Sequence, residues 1–151
     1  MNPVVIAPAT LQDARRFFEE RGAHGCEGTA MLAATAGGPV DRIVIPDQVT
    51  HPVPRCWVEV TTAGKLELAG ALGVDERYIA RIHSHPAAAF HSPADDANPA
   101  LTFEGALSIV VPFFGLGLRH GLNACAVLVL DDGTWVNLPP GRDRDKVVVV
   151  R

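Results

Sequence analysis

The stretch Arg81–Asp96, RIHSHPAAAFHSPADD, decides the fold and the chemistry of this chain. It continues from Tyr78-Ile79-Ala80, whose aromatic and branched residues favour a β-strand. His83 and His85 are two residues apart at the predicted strand end, so strand alternation places both imidazoles on the same side. Asp95 follows ten residues after His85. Two imidazoles and one carboxylate are the typical protein ligands of a catalytic zinc ion, whose fourth position is left to water.

Each half of this stretch also has a purely structural interpretation. Ser92-Pro93-Ala94-Asp95 is a favourable helix start, with serine at the N-cap, proline at the first helical position and an acid at the third. A lone His-x-His pair is often no more than two polar residues on an exposed strand face. The two interpretations are compatible, because a capped first turn would hold Asp95 rigidly near the histidines. On spacing alone Asp96 is an alternative ligand, and His91 is a further candidate.

Taken together, these residues resemble the signature of the JAB/MPN (JAMM) zinc metallopeptidases, in particular their compact prokaryotic members. His83-Ser84-His85-Pro86 is followed, after five residues, by Ser92-Pro93-Ala94-Asp95. This gap is shorter than in the usual pattern of the family, which changes the length of a loop and removes no ligand. The resemblance extends from roughly Gly25 to Pro112.

The resemblance implies a role for each matching residue. It implies a zinc ion held by His83, His85 and Asp95, with a bound water. Glu27 matches the catalytic glutamate of the family, because it precedes a glycine and a run of small aliphatic residues, and it is the expected general base. The alternative for Glu27 is simple exposure at a strand end. Ser92 matches a hydroxyl that helps to stabilise the oxyanion, a role that is compatible with capping.

The resemblance also implies the fold and the activity. The expected fold is an α/β, cytidine-deaminase-like JAB/MPN sandwich with a central mixed sheet flanked by helices, and residues 1–151 form a single domain. The expected activity is that of a zinc-dependent, deubiquitinase-like isopeptidase or peptidase. Its substrate would be the C-terminal tail of a ubiquitin-like or sulfur-carrier protein, with an activating-enzyme system as a further partner.

Two alternatives remain at the level of sequence. One is a JAB/MPN scaffold or binding module without catalysis, and the complete Glu, His, His and Asp set argues against it. The other is a zinc hydrolase that trims a small peptide or a single amino acid, and the sequence does not separate this from isopeptidase action.

Length and composition narrow the class of protein further. A chain of 151 residues with 48% hydrophobic residues can bury a proper core. The net charge of −4 and the lack of a basic tract argue against nucleic acid or a membrane surface as a partner. No apolar run is long enough for a spanning helix, and no secretion signal is recognisable.

The three cysteines, Cys26, Cys56 and Cys125, are widely spaced along the chain. Their odd number fits a protein of the reducing cytoplasm, in which they would be small buried side chains. The oligomeric state is not indicated.

The flanking segments give further expectations. Thr10 is the predicted cap of a first helix. The apolar segment Thr29–Thr35 and the strand Asp41–Pro46 form a predicted hairpin. The proline-rich segment Asp47–Arg55 is a predicted loop and the expected place of a substrate flap. The valine run in Lys146–Arg151 is expected to pair with the edge of a sheet or with a partner.

Overall fold

A computed structural model describes residues 2–51, 57–90 and 101–151, and these ranges contain ten strands, three α-helices and one 3-10 segment. No helix within them combines the length and apolar character that a membrane span requires. In chain order the elements are β1 (Val4–Ile6), α1 (Pro8–Gly22), β2 (Thr29–Thr35), β3 (Val40–Val44), β4 (Gln48–His51), β5 (Trp57–Val60), α2 (Thr62–Gly70), β6 (Glu76–Ser84), β7 (Leu107–Val111), a 3-10 segment (Phe113–His120), β8 (Ala126–Asp131), β9 (Thr134–Asn137), α3 (Arg142–Asp145) and β10 (Val148–Val150).

Within the described ranges, eight strands form one mixed sheet in the order β10-β1-β3-β2-β6-β7-β8-β9. β2 pairs antiparallel with β3 and with β6, so the predicted hairpin is confirmed. β6 runs parallel to β7, and β10 runs parallel to β1, which confirms that the valine run pairs with a strand of the sheet. The mixed sheet flanked by helices confirms the predicted α/β class.

The two faces of the sheet carry separate apolar clusters. The larger cluster includes Leu32, Ile82 and Ile109 from the central strands and Phe18 from α1, all fully buried. Burial of each such side chain contributes about 1.5–3 kcal/mol. The smaller cluster includes Met31, and Leu68 of α2 packs against it. Because Ile82 belongs to the α1 face, strand alternation places its neighbour His83 on the opposite face.

The start of α1 differs from the prediction. The helix begins at Pro8, whose fixed φ suits the first helical position, and its N-cap Ala7 makes no side-chain hydrogen bond. Thr10 lies inside the first turn and is buried, and its Oγ1 donates to the carbonyl oxygen of Val40 at 3.1 Å. The prediction of Thr10 as a cap is therefore wrong, because a hydrogen bond to β3 takes the hydroxyl instead.

The segment predicted as a loop from Asp47 to Arg55 is in part a strand. β4 pairs antiparallel with β5, from Gln48 opposite Val60 to His51 opposite Trp57, and the two form a separate two-stranded sheet. We call this pair the β4–β5 hairpin. The next helix, α2, begins as its sequence predicts, since Thr61 Oγ1 accepts a hydrogen bond from Gly64 N at 3.0 Å.

Candidate metal centre

The two signature histidines lie together at the carboxyl end of β6. His83 and His85 are 3% and 8% exposed, and their ring centroids are 5.0 Å apart with an angle of 57° between the planes. Two imidazoles that bind one zinc ion each place a nitrogen about 2.0–2.1 Å from it, from different directions. Adjacent, tilted and buried rings fit this arrangement.

Backbone hydrogen bonds fix the strand end that carries these rings. His85 N donates to the carbonyl oxygen of Val111 at 2.8 Å, and Phe114 N donates to the carbonyl oxygen of His85 at 2.9 Å. The His85 ring also meets the Phe90 ring edge to face, with centroids 4.8 Å apart. The backbone of His85 is therefore held by the end of β7 and by the segment that follows it, and its ring makes an aromatic contact.

The sheet register brings Glu27 beside the histidines. Thr29 pairs with His83, and Ser84 N donates to the carbonyl oxygen of Gly28 at 3.0 Å. Continuing the antiparallel register by one more residue places the half-buried Glu27 opposite His85. A Cβ on Gly28 would point toward α1, so alternation puts Glu27 on the other face, which is the face of the histidines.

Close packing explains why a glycine follows Glu27. A Cβ on Gly28 would lie 2.8 Å from Arg21 Cδ and 2.9 Å from Phe17 Cε1, both in α1. The amide of Gly28 donates to Ser84 Oγ at 2.9 Å, and Ser84 is fully buried. Ser84 stands between the two histidines in sequence. It therefore faces α1, and its hydroxyl anchors Gly28, the residue after Glu27, to β6.

Arg21 and Gln48 also hold the backbone at Glu27 and at Thr29, and sequence reasoning missed both of them. Arg21 Nε donates to the carbonyl oxygen of Glu27 at 2.6 Å. The side-chain amide of Gln48 bonds both backbone groups of Thr29, accepting from its N and donating to its O at 2.9 Å each. No local pattern in the sequence marks either residue, because each contact joins segments that are distant or irregularly spaced along the chain.

The remaining predicted site residues lie outside the described residues. These are the ligand Asp95 and the cap and oxyanion donor Ser92, together with the alternatives His91 and Asp96, and they stay predictions. Within 2–51, 57–90 and 101–151, no group of three or more His, Cys, Asp or Glu side chains is arranged to hold a metal. His83 and His85 supply the two nitrogen donors of the predicted set, and their chemistry and burial fit zinc.

Other residues of ligand type have different surroundings. His51, predicted to be solvated, lies on the β4–β5 hairpin, with its Nε2 2.9 Å from Glu59 Oε2, and both side chains are exposed. Cys125 is buried, as predicted for a small apolar side chain, and this burial raises the pKa of its thiol to about 12. A protonated thiol is a poor metal ligand, so Cys125 does not compete with the histidines.

A cleft of about 810 Å³ lies at the other end of β2 and β6. Its lining includes Thr35 and the turn Gly37-Gly38, with Arg77 on β6 and Arg151 at its rim. None of the predicted site residues contributes to it. This cleft and the buried histidines are therefore separate features of the molecule.

Comparisons with known proteins agree with the sequence signature. No family model matches the chain. A probable metalloprotease from Sinorhizobium fredii is 56% identical over 36 residues, which are 24% of this chain and only 22% of that protein. A JAB1/MPN domain protein from Archaeoglobus fulgidus superposes with a TM-score of 0.53 and 15% identity, over 99% of this chain and 100% of that one.

A second solved structure extends this likeness. A protein from Desulfitobacterium hafniense, known from its solution structure, superposes with a TM-score of 0.62 and 11% identity, over 98% of this chain and 92% of that one. At such low identity the shared feature is the fold. The chain therefore has the fold of JAB1/MPN domain proteins, as its histidine signature predicts.

Proposed function

We propose that this protein is a zinc-dependent metallopeptidase of the JAMM type. One observation carries the proposal: two adjacent, buried imidazoles lie together at the carboxyl end of β6. Extending the β2–β6 register beyond its last pair, Thr29 with His83, leads to Glu27 opposite His85, which supports the proposal. Imidazole nitrogens are among the side-chain donors that zinc prefers, and catalytic zinc sites commonly use two of them together. A metal-binding hydrolytic site would give the two rings and Glu27 a common function.

Each residue has a distinct task in this mechanism. His83, His85 and Asp95 would hold the ion. When bound, zinc supplies a Lewis acid that polarises a carbonyl and lowers the pKa of a coordinated water to about 7. Glu27 would accept a proton from the attacking water and pass it to the leaving amine nitrogen. Ser92 would donate a hydrogen bond to the carbonyl oxygen as negative charge develops there.

We infer that the scissile bond follows the C-terminal tail of a ubiquitin-like or sulfur-carrier protein, a substrate class that rests on the family resemblance. Such a tail is an extended peptide, and extended peptides bind by adding a strand to a sheet edge. The β4–β5 hairpin is a two-stranded sheet tied to Thr29 through Gln48, so it offers strand edges near Glu27. The activating-enzyme partner and the cytoplasmic location stay predictions.

Metal analysis combined with a cleavage assay tests this function. The wild-type protein should contain one zinc per chain and should cleave a fusion of a ubiquitin-like protein at its tail. Glu27→Gln should keep the zinc and lose about 10²–10⁴-fold in activity, because the general base is removed. Glu20→Gln, the same substitution at an exposed position of α1, is the matched control and should remain fully active.

Mass spectrometry of the products identifies the bond that is cut. Release of the intact ubiquitin-like protein supports isopeptidase action, whereas loss of a single terminal residue indicates a trimming hydrolase. Full activity of Glu27→Gln, or cleavage that persists without metal, would contradict the proposal.

A further inference from the structure

We propose that Arg21 is a positioning residue that couples the β4–β5 hairpin to Glu27, so that a peptide bound on the hairpin controls the placement of the general base. The proposal rests on the proposed function of Glu27, and it adds a route by which substrate binding reaches the base. Two sets of hydrogen bonds join the hairpin to the backbone at Glu27 and at Thr29.

The first connection is the Arg21 side chain itself. Its Nε donates to the carbonyl oxygen of Glu27 at 2.6 Å, and its Nη2 donates to Thr50 Oγ1 of β4 at 2.5 Å. A guanidinium is planar and rigid, so the two acceptors are held at a nearly fixed separation. A movement of Thr50 is therefore transmitted to the backbone of Glu27.

The position of Arg21 is itself determined by packing. Arg21 Cδ lies 2.8 Å from the position that a Cβ on Gly28 would take. Because Gly28 has no side chain, this space is left to Arg21. Its Cζ lies 5.9 Å from the centre of the Phe17 ring, within the range of a cation–π interaction. The side chain therefore bridges the two acceptors from a constrained position.

Gln48 provides the second connection. Its amide bonds both backbone groups of Thr29 at 2.9 Å, and its Nε2 also donates to the carbonyl oxygen of Pro46 at 2.8 Å. The hairpin is thus tied to the chain on both sides of Gly28, at Glu27 through Arg21 and at Thr29 through Gln48. Since Thr29 pairs with His83, the hairpin, the base and a predicted metal ligand share one hydrogen-bonded unit.

The test uses two substitutions at Thr50 that differ in a single property. Thr50→Val removes the hydroxyl that Arg21 Nη2 contacts and keeps nearly the same volume, whereas Thr50→Ser keeps the hydroxyl. We expect Thr50→Val to lower kcat by about tenfold with KM within about twofold, because the base is less well placed. Thr50→Ser should have the same kcat as the wild type. Arg21→Lys, which lacks the planar fork, should lower kcat in the same way.

Amide hydrogen exchange of the metal-free protein supplies a readout that does not depend on activity. Thr29 N is bonded to Gln48, and Gly28 N lies between the two connections. Exchange at both amides should be faster in Thr50→Val than in Thr50→Ser or the wild type. A merely structural connection would lower thermal stability and leave kcat unchanged at temperatures where the variant is folded.

The outcomes separate this proposal from the proposed function. If Glu27→Gln is inactive and Thr50→Val has wild-type kcat, the coupling is rejected and the metallopeptidase function stands. If Glu27→Gln is fully active, the proposed base is wrong, whatever the Thr50 variants show. Unchanged exchange at Gly28 and Thr29 in Thr50→Val would also overturn the coupling.

Discussion

The two ends of the β2–β6 strand pair differ in how deeply their polar groups are buried. At the histidine end, Thr29, His83, Ser84 and His85 are all buried. At the other end lies an open cleft of about 810 Å³ with the exposed Arg77 on its wall. Burial of polar groups is costly, whereas an open cleft between turns costs the fold little. The proposed metal site therefore rests on the buried polar groups and not on the open cleft.

The charged residues at the cleft end support the same contrast. Arg42 forms an ion pair with Glu76, which also accepts a hydrogen bond from Gly73 N at 2.7 Å. The Arg42 side chain is 41% exposed, and surface ion pairs of this kind contribute about 0–1 kcal/mol. This end of the sheet should consequently tolerate substitutions that the histidine end does not.

The largest expected difference between the two ends is in activity and metal content. His83→Ala removes one of the two described nitrogen donors, so zinc content should fall below one per chain and activity should drop to background. Arg77→Ala changes a cleft residue on the same strand and should leave both unchanged. Zinc analysis and the cleavage assay on the two purified variants provide the comparison.

The outcome that would break the contrast is equally specific. If Arg77→Ala abolishes cleavage while His83→Ala keeps both zinc and activity, the functional site lies at the cleft. Circular dichroism of both variants verifies that each is folded before the assays are compared.

A smaller effect is expected from two buried serines on adjacent strands. Ser84 Oγ accepts from Gly28 N, so Ser84→Ala leaves a buried amide without its acceptor and should cost about 1–3 kcal/mol of unfolding free energy. Ser108 Oγ is buried on β7 without a hydrogen-bond partner among the described residues. Ser108→Ala should therefore be neutral or stabilising.

Denaturant unfolding of the two alanine variants measures this difference directly. Equal destabilisation by Ser84→Ala and Ser108→Ala would show that the Gly28–Ser84 bond contributes no more than the removal of a buried hydroxyl. A reduced kcat in Ser84→Ala alone would extend the contrast from stability to catalysis.

The smallest effect concerns Cys125, a buried titratable residue away from the histidines. Burial raises the pKa of its thiol from 9.0 to about 12, although the charge of Arg144 opposes the shift. The folded state thus favours the neutral thiol. The resulting stabilisation is complete below pH 9.0 and is lost as the pH rises toward 12.

Unfolding free energies at pH 7 and pH 10.5 test this dependence. The stability advantage of the wild type over Cys125→Ala should shrink at the higher pH, because only the wild-type unfolded chain can gain a thiolate at position 125, which the folded state disfavours. An advantage that is constant over this range would show that the thiol is not desolvated. Alkylation followed by mass spectrometry should find Cys125 unmodified in the folded protein at pH 8.

Local patterns were sufficient to predict much of the sheet. An Asp-Gly pair such as Asp132-Gly133 favours a tight hairpin turn, and both residues have the positive φ, +48° and +71°, that such a turn requires. β8 and β9 pair across it. The β4–β5 hairpin was missed because the proline-rich sequence around Gln48–His51 is typical of loops. The true start of α1 was missed because the hydroxyl of Thr10 bonds to a distant strand.

The candidate site, like the sheet, could be predicted from the sequence only in part. The spacing of His83 and His85 on a strand end indicated their shared face, and the two rings do lie side by side. The role of Glu27 came from the family resemblance and stays a prediction, because the observed pairing of β2 with β6 ends at Thr29 and His83. Arg21 and Gln48 could not be predicted, because their contacts depend on how α1 and the hairpin pack against the start of β2.

The backbone that follows β7 has a consequence for protein engineering. Phe113 and Phe114 both adopt left-handed backbone angles, with φ of +56° and +50°, a conformation that costs a bulky residue roughly 1–2 kcal/mol. Glycine at Phe114 would relax this strain but would remove the ring that packs against Gly22. Phe114 N donates a hydrogen bond to the carbonyl oxygen of His85. A search for thermostable variants at this position would therefore have to weigh a less strained backbone against the orientation of the His85 imidazole.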